Sequence, residues 1–424
     1  LRVLVPETFG AGLCYFTGSQ QHNIMLRVRG NKRRLKISEH GVFTRVGEQR
    51  LAGALEEEVF AAVGLPFIPP ELRENAGELE AAAEGRLPAL VTSDSILGDL
   101  HVRSDPTDRE GSIEALAREA LWRGLTYLVI ADPSPSRVGA GGLDVDGLNK
   151  QGNFLRDLEQ RLGAIRLLRG VEVEILPDGS LDHDPAILAE LDWVLGGMHI
   201  ALDQPPERLM GRLLRALESG LVDCLAHPLG RTIGVSGPSA RPEGLSLDVE
   251  LMLHRARRHG VALEVHGSPE RLDLPAERCR QARRARVPLA LASGASAPEE
   301  LSRLDLALSM ARRGWVEASQ LLNARPPALL AEQRQERLRR PSTSVAVGGV
   351  LEEAEVELGE DLPALAQALG QEPLPEPLRE RLEAWTHGEK DEALAAALEL
   401  RGDNPTQQAF ALLWRGSTEV EGKG

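Results

Sequence analysis

In Gly98-Asp99-Leu100-His101-Val102-Arg103-Ser104-Asp105-Pro106-Thr107-Asp108, a short apolar stretch carries an acid and leads to a histidine, with a further acid seven residues on and a helical pattern behind it. This is how a (β/α) barrel sets metal ligands on the loop that follows a strand. An extended histidine-x-histidine pair would send two imidazoles to one face. Here the second place is Arg103. From residue 99 onward short apolar runs alternate with helical patterns, which predicts an α/β fold with a parallel barrel. The predicted strands are Tyr127-Leu128-Val129-Ile130, Val171-Glu172-Val173, Trp193-Val194-Leu195, Asp223-Cys224-Leu225-Ala226, Leu263-Glu264-Val265 and Leu289-Ala290-Leu291. Helices are predicted over 206–219, 248–258 and 298–313, and Ser112 is expected to cap a helix running through Ala120 to Gly124.

The ends of these strands carry His101, Asp108, Asp132, Glu172, His199, His227 and His266. A lone histidine after a strand is usually structural. Several at successive strand ends of one barrel converge on one opening and make a candidate metal centre.

The chain has 424 residues, too many for one ordinary core, so two or three domains are expected. Lys and Arg number 49 against 64 Asp and Glu, a formal charge of -15, which argues against a surface that coats nucleic acid everywhere. Cys14, Cys224 and Cys279 are too scattered for a disulfide framework or a thiolate zinc site and predict a reducing, cytoplasmic setting. No apolar run is long enough to span a bilayer, so no membrane partner is expected. Arg2-Val3-Leu4-Val5 reads as mid-strand, and with no methionine before it the chain is expected to be a fragment lacking its upstream part.

Near the start, Cys14-Tyr15-Phe16-Thr17-Gly18-Ser19 precedes His22-Asn23-Ile24-Met25-Leu26-Arg27, and a basic cluster follows: Arg29, Lys32, Arg33, Arg34 and Lys36. An aromatic pair and a glycine turn could stack a sugar and admit close backbone approach, with Asn23 one helical turn from Arg27 on a nucleotide or template strand. The alternative is an amphipathic helix with a solvated basic face. Residues 76–97 read as a connector, 339–346 as a linker, and 347–424 as an acidic helical extension with helices near 361–369, 376–386 and 390–400.

Tyr15-Phe16-Thr17-Gly18-Ser19, the following Asn23 and Arg27, Leu35-Lys36-Ile37-Ser38-Glu39-His40-Gly41-Val42-Phe43 and Gly64-Leu65-Pro66-Phe67-Ile68-Pro69-Pro70 resemble, in order, the thumb of family X DNA polymerases. The resemblance implies a small α+β thumb over residues 1–75, in which Tyr15, Phe16 and Gly18, with Ser19 beside them, line the incoming nucleotide's sugar while Asn23 and Arg27 face base and template. His40 stands where the family usually has tyrosine. The family's palm holds its magnesium ions on three Asp residues, the last of which would sit just before Leu1, so the chain by itself is expected not to polymerise.

Gly170-Val171-Glu172-Val173-Glu174-Ile175-Leu176-Pro177-Asp178-Gly179-Ser180-Leu181-Asp182, Ala226-His227-Pro228-Leu229-Gly230-Arg231 and Arg271-Leu272-Asp273-Leu274 resemble the PHP (polymerase and histidinol phosphatase) domain of bacterial family X polymerases. That resemblance implies a distorted (β/α)7 TIM-like barrel over residues 98–338, binding up to three manganese or zinc ions and hydrolysing phosphodiesters as a 3′–5′ exonuclease or phosphoesterase. It also implies DNA, gapped or primer-template, and dNTP as partners of a monomeric repair polymerase. His101, Asp108, Glu172, His199 and His227 stand at ligand positions, whereas four positions have lost theirs to Arg103, Pro133, Gly294 and Ser296. Asp132 and His266 are possible additions.

An arginine cannot be deprotonated, and a unit charge about 4 Å away at an effective dielectric of about 20 is repelled by about 4 kcal/mol. The sequence therefore favours a degenerate barrel kept as a scaffold or DNA-binding module, with Arg103 expected to pair with Glu172 in place of a metal. The alternative is a phosphoesterase with a reduced site at Glu172, His199 and His227.

Overall fold

The computed structural model describes residues 3–237 and 240–339. Before the barrel come α1 (Phe9–Thr17), α2 (Gln20–Lys32), the antiparallel strands β1 (Leu35–Ser38), β2 (Gly41–Thr44) and β3 (Arg50–Ala52), α3 (Glu56–Ala62) and α4 (Glu78–Ala83). Val42, Phe60, Val63, Ile68 and Leu72 form a core of their own here. The strand expected at residues 2–5 does not form over 3–5: Val3 and Val5 are exposed, no strand pairs with them, and Pro6 opens a 3₁₀ turn instead. Residues 76–97, expected as a connector, hold α4, whose Leu79, Ala81 and Ala82 are buried in the same core as Trp315. Arg312–Glu71 and Arg313–Glu74 ion pairs add to this junction.

The barrel strands are β4 (Gly98–Val102), β5 (Tyr127–Ile130), β6 (Arg166–Glu174), β7 (Trp193–Gly197), β8 (Cys224–Leu225), β9 (Ala262–His266) and β10 (Leu289–Ala292), paired in parallel in that order. Between them run α5 (Arg109–Trp122), α6 (Val145–Leu162), α7 (Pro185–Ala189), α8 (Pro206–Glu218), α9 (Val249–His259) and α10 (Ala276–Arg284); α11 (Arg303–Arg313) and α12 (Pro327–Arg339) follow β10. α5 begins three residues before Ser112: Asp108 is its N-cap, accepting from the Gly111 N–H, and Ser112 lies inside the first turn. The expected linker lies outside the described residues except for Arg339, which ends α12, and the extension at 347–424 lies wholly outside them.

Side chains alternate across each strand. Tyr127 and Val129, Leu168, Trp193 and Leu195, Cys224, Ala262 and Ala290 fill the inside, while Leu128, Ile130, Leu167, Leu289 and Leu291 face the surrounding helices. Each fully buried aliphatic side chain contributes about 1.5–3 kcal/mol. Gly98 is required by this packing, because a Cβ there would lie 2.4 Å from the Tyr127 ring.

The seam between β10 and β4 closes without a full ladder. Gly294 N–H donates to the His101 carbonyl (3.0 Å) and Arg103 N–H to that of Ala295 (2.8 Å). At the other end the fully buried Asn323 accepts from Leu291 N–H (2.6 Å) and donates to the carbonyls of Gly98 and Leu291 (2.9 Å each). One amide side chain thus satisfies backbone groups on both edge strands.

Candidate metal centre at the barrel mouth

The inward parity that brings Leu168 and Ala262 into the apolar core also points Glu172, Glu174, Glu264 and His266 inward, in the layers above. On β4 the register shifts between Asp99 and Val102, which brings His101 into these layers. Charge is therefore concentrated at the C-terminal ends of the strands, above a sealed apolar interior.

Two groups of three emerge. In the first, Glu172 with His199 and His227, the Nε2 atoms of the two histidines are 3.0 Å apart and lie 3.2 and 3.0 Å from Glu172 Oε1. His199 Nδ1 lies 2.7 Å from Glu174 Oε2, and Glu174 Oε1 accepts from the His199 and Ile200 N–H groups. This is the carboxylate–histidine arrangement that fixes an imidazole for ligation. With Nδ1–H given to Glu174, a neutral His199 turns its Nε2 lone pair toward His227 Nε2 and Glu172 Oε1. Burial alone would raise Glu172, but the charge and hydrogen bonds of its histidine neighbours win and hold it well below the usual carboxylate range. Burial and then the Arg271 charge push His227 down to about 3. Burial opposes a charged His199, but Glu172 and Glu174 raise it.

The second group is His101, Glu264 and His266. Its hydrogen bonds run differently. Glu264 Oε1 lies 2.7 Å from His101 Nδ1 and Oε2 2.5 Å from His227 N, so both oxygens are engaged. Burial would raise Glu264, yet the opposing charges of His101 and His266 hold it at about 2. His101 is left with its Nε2 buried and unpartnered. His266 Nδ1 accepts from the Ser268 N–H at 3.1 Å.

The other predicted residues lie elsewhere. Asp108 is exposed and caps α5. Asp132 is buried but spent, accepting from Ser104, Arg109 and Gln151. The pairing expected of Arg103 with Glu172 is corrected: Arg137 makes it, Nη1 to Oε2 at 2.8 Å, because its turn passes directly over β6. The charge of Arg103 is felt instead by His101 and His266. Pro133 is buried and bridged to Glu172, Gly294 adopts a φ of 63°, and Ser296 binds Glu300. Glu174 and Glu264 were unassigned in the sequence, although a carboxylate inside an apolar strand is itself a signal, since it stays buried only with partners.

In the first 75 residues, Tyr15 and Phe16 are exposed and meet edge to face at 5.2 Å, with the Arg27 guanidinium 5.8 Å from the Tyr15 ring. Asn23 is largely buried and donates to the Tyr15 carbonyl at 2.8 Å, so it holds the turn. Gly18 takes φ 75°, and Ser19 caps α2 through the His22 N–H.

Residues 12–74 match the family model of the DNA polymerase beta thumb. Over 325 residues the chain is 37% identical to the DNA polymerase/3′-5′ exonuclease PolX of Bacillus subtilis (strain 168), covering 76% of this chain and 55% of that protein. The chain is similar to PolX over most of its own length. It spans little more than half the length of that relative. A probable phosphatase of Thermoanaerobacter sp. (strain X514) is 27% identical over 220 residues, 49% of this chain and 81% of its own. Among solved structures, the histidinol phosphate phosphatase of Lactococcus lactis, complexed with zinc, L-histidinol and phosphate, is 12% identical with a TM-score of 0.35, covering 52% of this chain and 94% of its own. Among the described residues of this PolX relative, no helix is long and apolar enough to cross a membrane.

Proposed function

We propose that the chain works in DNA repair gap filling as a bacterial, cytoplasmic and monomeric PolX. In this reading the thumb holds gapped or primer-template DNA, and the barrel hydrolyses phosphodiesters at 3′ ends with one divalent ion, manganese or zinc. The observation that carries the barrel's part is the convergence of His199 Nε2, His227 Nε2 and Glu172 Oε1 to 3.0–3.2 Å of one another. Such an atom set suits a cation better than a network of ordinary hydrogen bonds. The buried, unpartnered Nε2 of His101 adds a further lone pair at the mouth, and Glu264 fixes the tautomer that leaves it free. In such a donor set, a divalent ion would polarise a phosphoryl oxygen and acidify a water. The protein's part is to hold Glu172 to one oxygen, because Arg137 occupies the other, and to orient His199 through Glu174.

On the thumb, the exposed Tyr15 and Phe16 and the basic run from Arg27 to Lys36 suit a stacked nucleotide and a phosphate backbone. Gly18 and Ser19 shape the nucleotide's side of that turn, and polymerisation with dNTP would use magnesium. The test is elemental analysis of the purified chain, with manganese-dependent nucleotide release from a 3′ single-stranded end. One metal per chain and release, both lost in His227→Ala, are expected. A chain that binds DNA but holds no metal and releases nothing would leave the scaffold reading standing.

A further inference from the structure

His266 sits in the upper layer with two different nitrogens. Nδ1 is taken by the Ser268 amide, which can only donate, so the ring proton of a neutral His266 is on Nε2. That N–H has no hydrogen-bond acceptor among the described residues, although His266 is only 4% exposed. It lies in the space that a side chain at residue 294 would need, since a Cβ on Gly294 would stand 2.3 Å from Nε2. The backbone of the loop that carries Gly294 is bonded to His101 and Arg103. Arg103 is half-buried there, its charge acts on both His101 and His266, and no hydrogen bond or ion pair engages its guanidinium among the described residues.

The His266 Nε2–H and the half-buried Arg103 guanidinium flank the Gly294 loop, and neither has a protein acceptor among the described residues. The nearby carboxylate, Glu264, cannot serve, because its two oxygens are already held by His101 and the His227 amide.

We propose that His266 Nε2–H and the Arg103 guanidinium together form a phosphate-binding pair at the barrel mouth, and that His266 is a hydrogen-bond donor to the phosphate rather than a metal ligand. The inference deepens the phosphodiesterase reading: it names the groups that hold the non-bridging oxygens beside the Glu172, His199 and His227 set. Two fixed donors replace attraction that a second cation would otherwise supply. Arg103 contributes charge and His266 direction.

The experiment is titration of the full chain with inorganic phosphate by calorimetry, in metal-free and metal-loaded forms, alongside metal stoichiometry. His266→Leu removes the donor and is expected to weaken phosphate about tenfold or more, the range for a hydrogen bond to a charged group, with metal content unchanged. His266→Gln, which returns an amide N–H, should recover part of the affinity. Gly294→Ala, which displaces the imidazole without removing it, should also weaken phosphate. Arg103→Gln should weaken it further in both forms. Loss of metal in His266→Leu would make His266 a ligand and overturn the proposal. Unchanged phosphate affinity in His266→Leu and Arg103→Gln would overturn it equally. A wild-type chain without metal that still binds phosphate through these two residues would sink the one-metal reading and leave this one intact.

Discussion

The two groups at the mouth contain the same residue types, two histidines and a glutamate each, and differ in where their hydrogen bonds go. In Glu172, His199 and His227 the second nitrogen of His199 is held from behind by Glu174, so three lone pairs face one another. In His101, Glu264 and His266 the glutamate itself is the holder, and one imidazole is already accepting from an amide. Proximity of ligand types is therefore not enough to define a cation site. The direction of each lone pair, set one shell further out, separates a metal set from a donor set.

The largest expected effect comes from breaking the holder in the second group. Glu264→Ala leaves a buried histidine and a buried amide without their carboxylate, and breaking such a pair costs about 3–5 kcal/mol. Urea unfolding of the metal-free chain should report that loss. A change below 1 kcal/mol would mean that Glu264 does not organise His101 and His227.

A smaller effect, about 3 kcal/mol, should appear in the pH dependence of stability. Burial, against the pull of Glu264, pushes His266 down to about 4. Between about 6.5 and 4 the unfolded chain binds a proton there that the folded chain refuses, so stability falls as pH is lowered through that window. In His266→Leu this part of the slope should vanish. A slope unchanged by the substitution would show that His266 is not held neutral.

The finest distinction is in the first group. Glu174→Gln keeps the shape and weakens the hold on His199, and is expected to lower metal affinity about 10–100-fold while Glu172, His199 and His227 all remain. Competition with a chromophoric chelator measures it. Unchanged affinity would place Glu174 outside the site and erase the contrast between the groups.

The barrel was legible in the sequence because parallel strands buried on both faces are written as unbroken apolar runs. The polar residues that end those runs stand out for the same reason. Asp108 shows the limit of this rule. It follows the β4 segment at the right distance for a ligand, but an aspartate there also suits the start of a helix, and the chain uses it as a cap. Arg103 shows another limit: its fixed charge was predictable, but its distance from Glu172 was not, and Arg137 from a separate turn holds that carboxylate instead. Residues 76–97 looked like a connector because Leu79 and its small neighbours are few, and only the core around Trp315 explains their burial.

By itself, the sequence determined which residue types would crown the barrel, since strand periodicity and the apolar runs are local properties of the chain. It also determined that an arginine and a glycine replace two expected ligands. Tertiary structure alone decided which groups meet. Glu264 reaches His101 across 163 residues, and Asn323 closes a seam between strands far from it in the chain. The tautomers of three of the four mouth histidines are likewise each set by one partner, Glu174 for His199, Glu264 for His101 and the Ser268 amide for His266. A hydrogen bond of this kind exists only once closure of the barrel brings donor and acceptor within about 3 Å and removes the water that would otherwise compete.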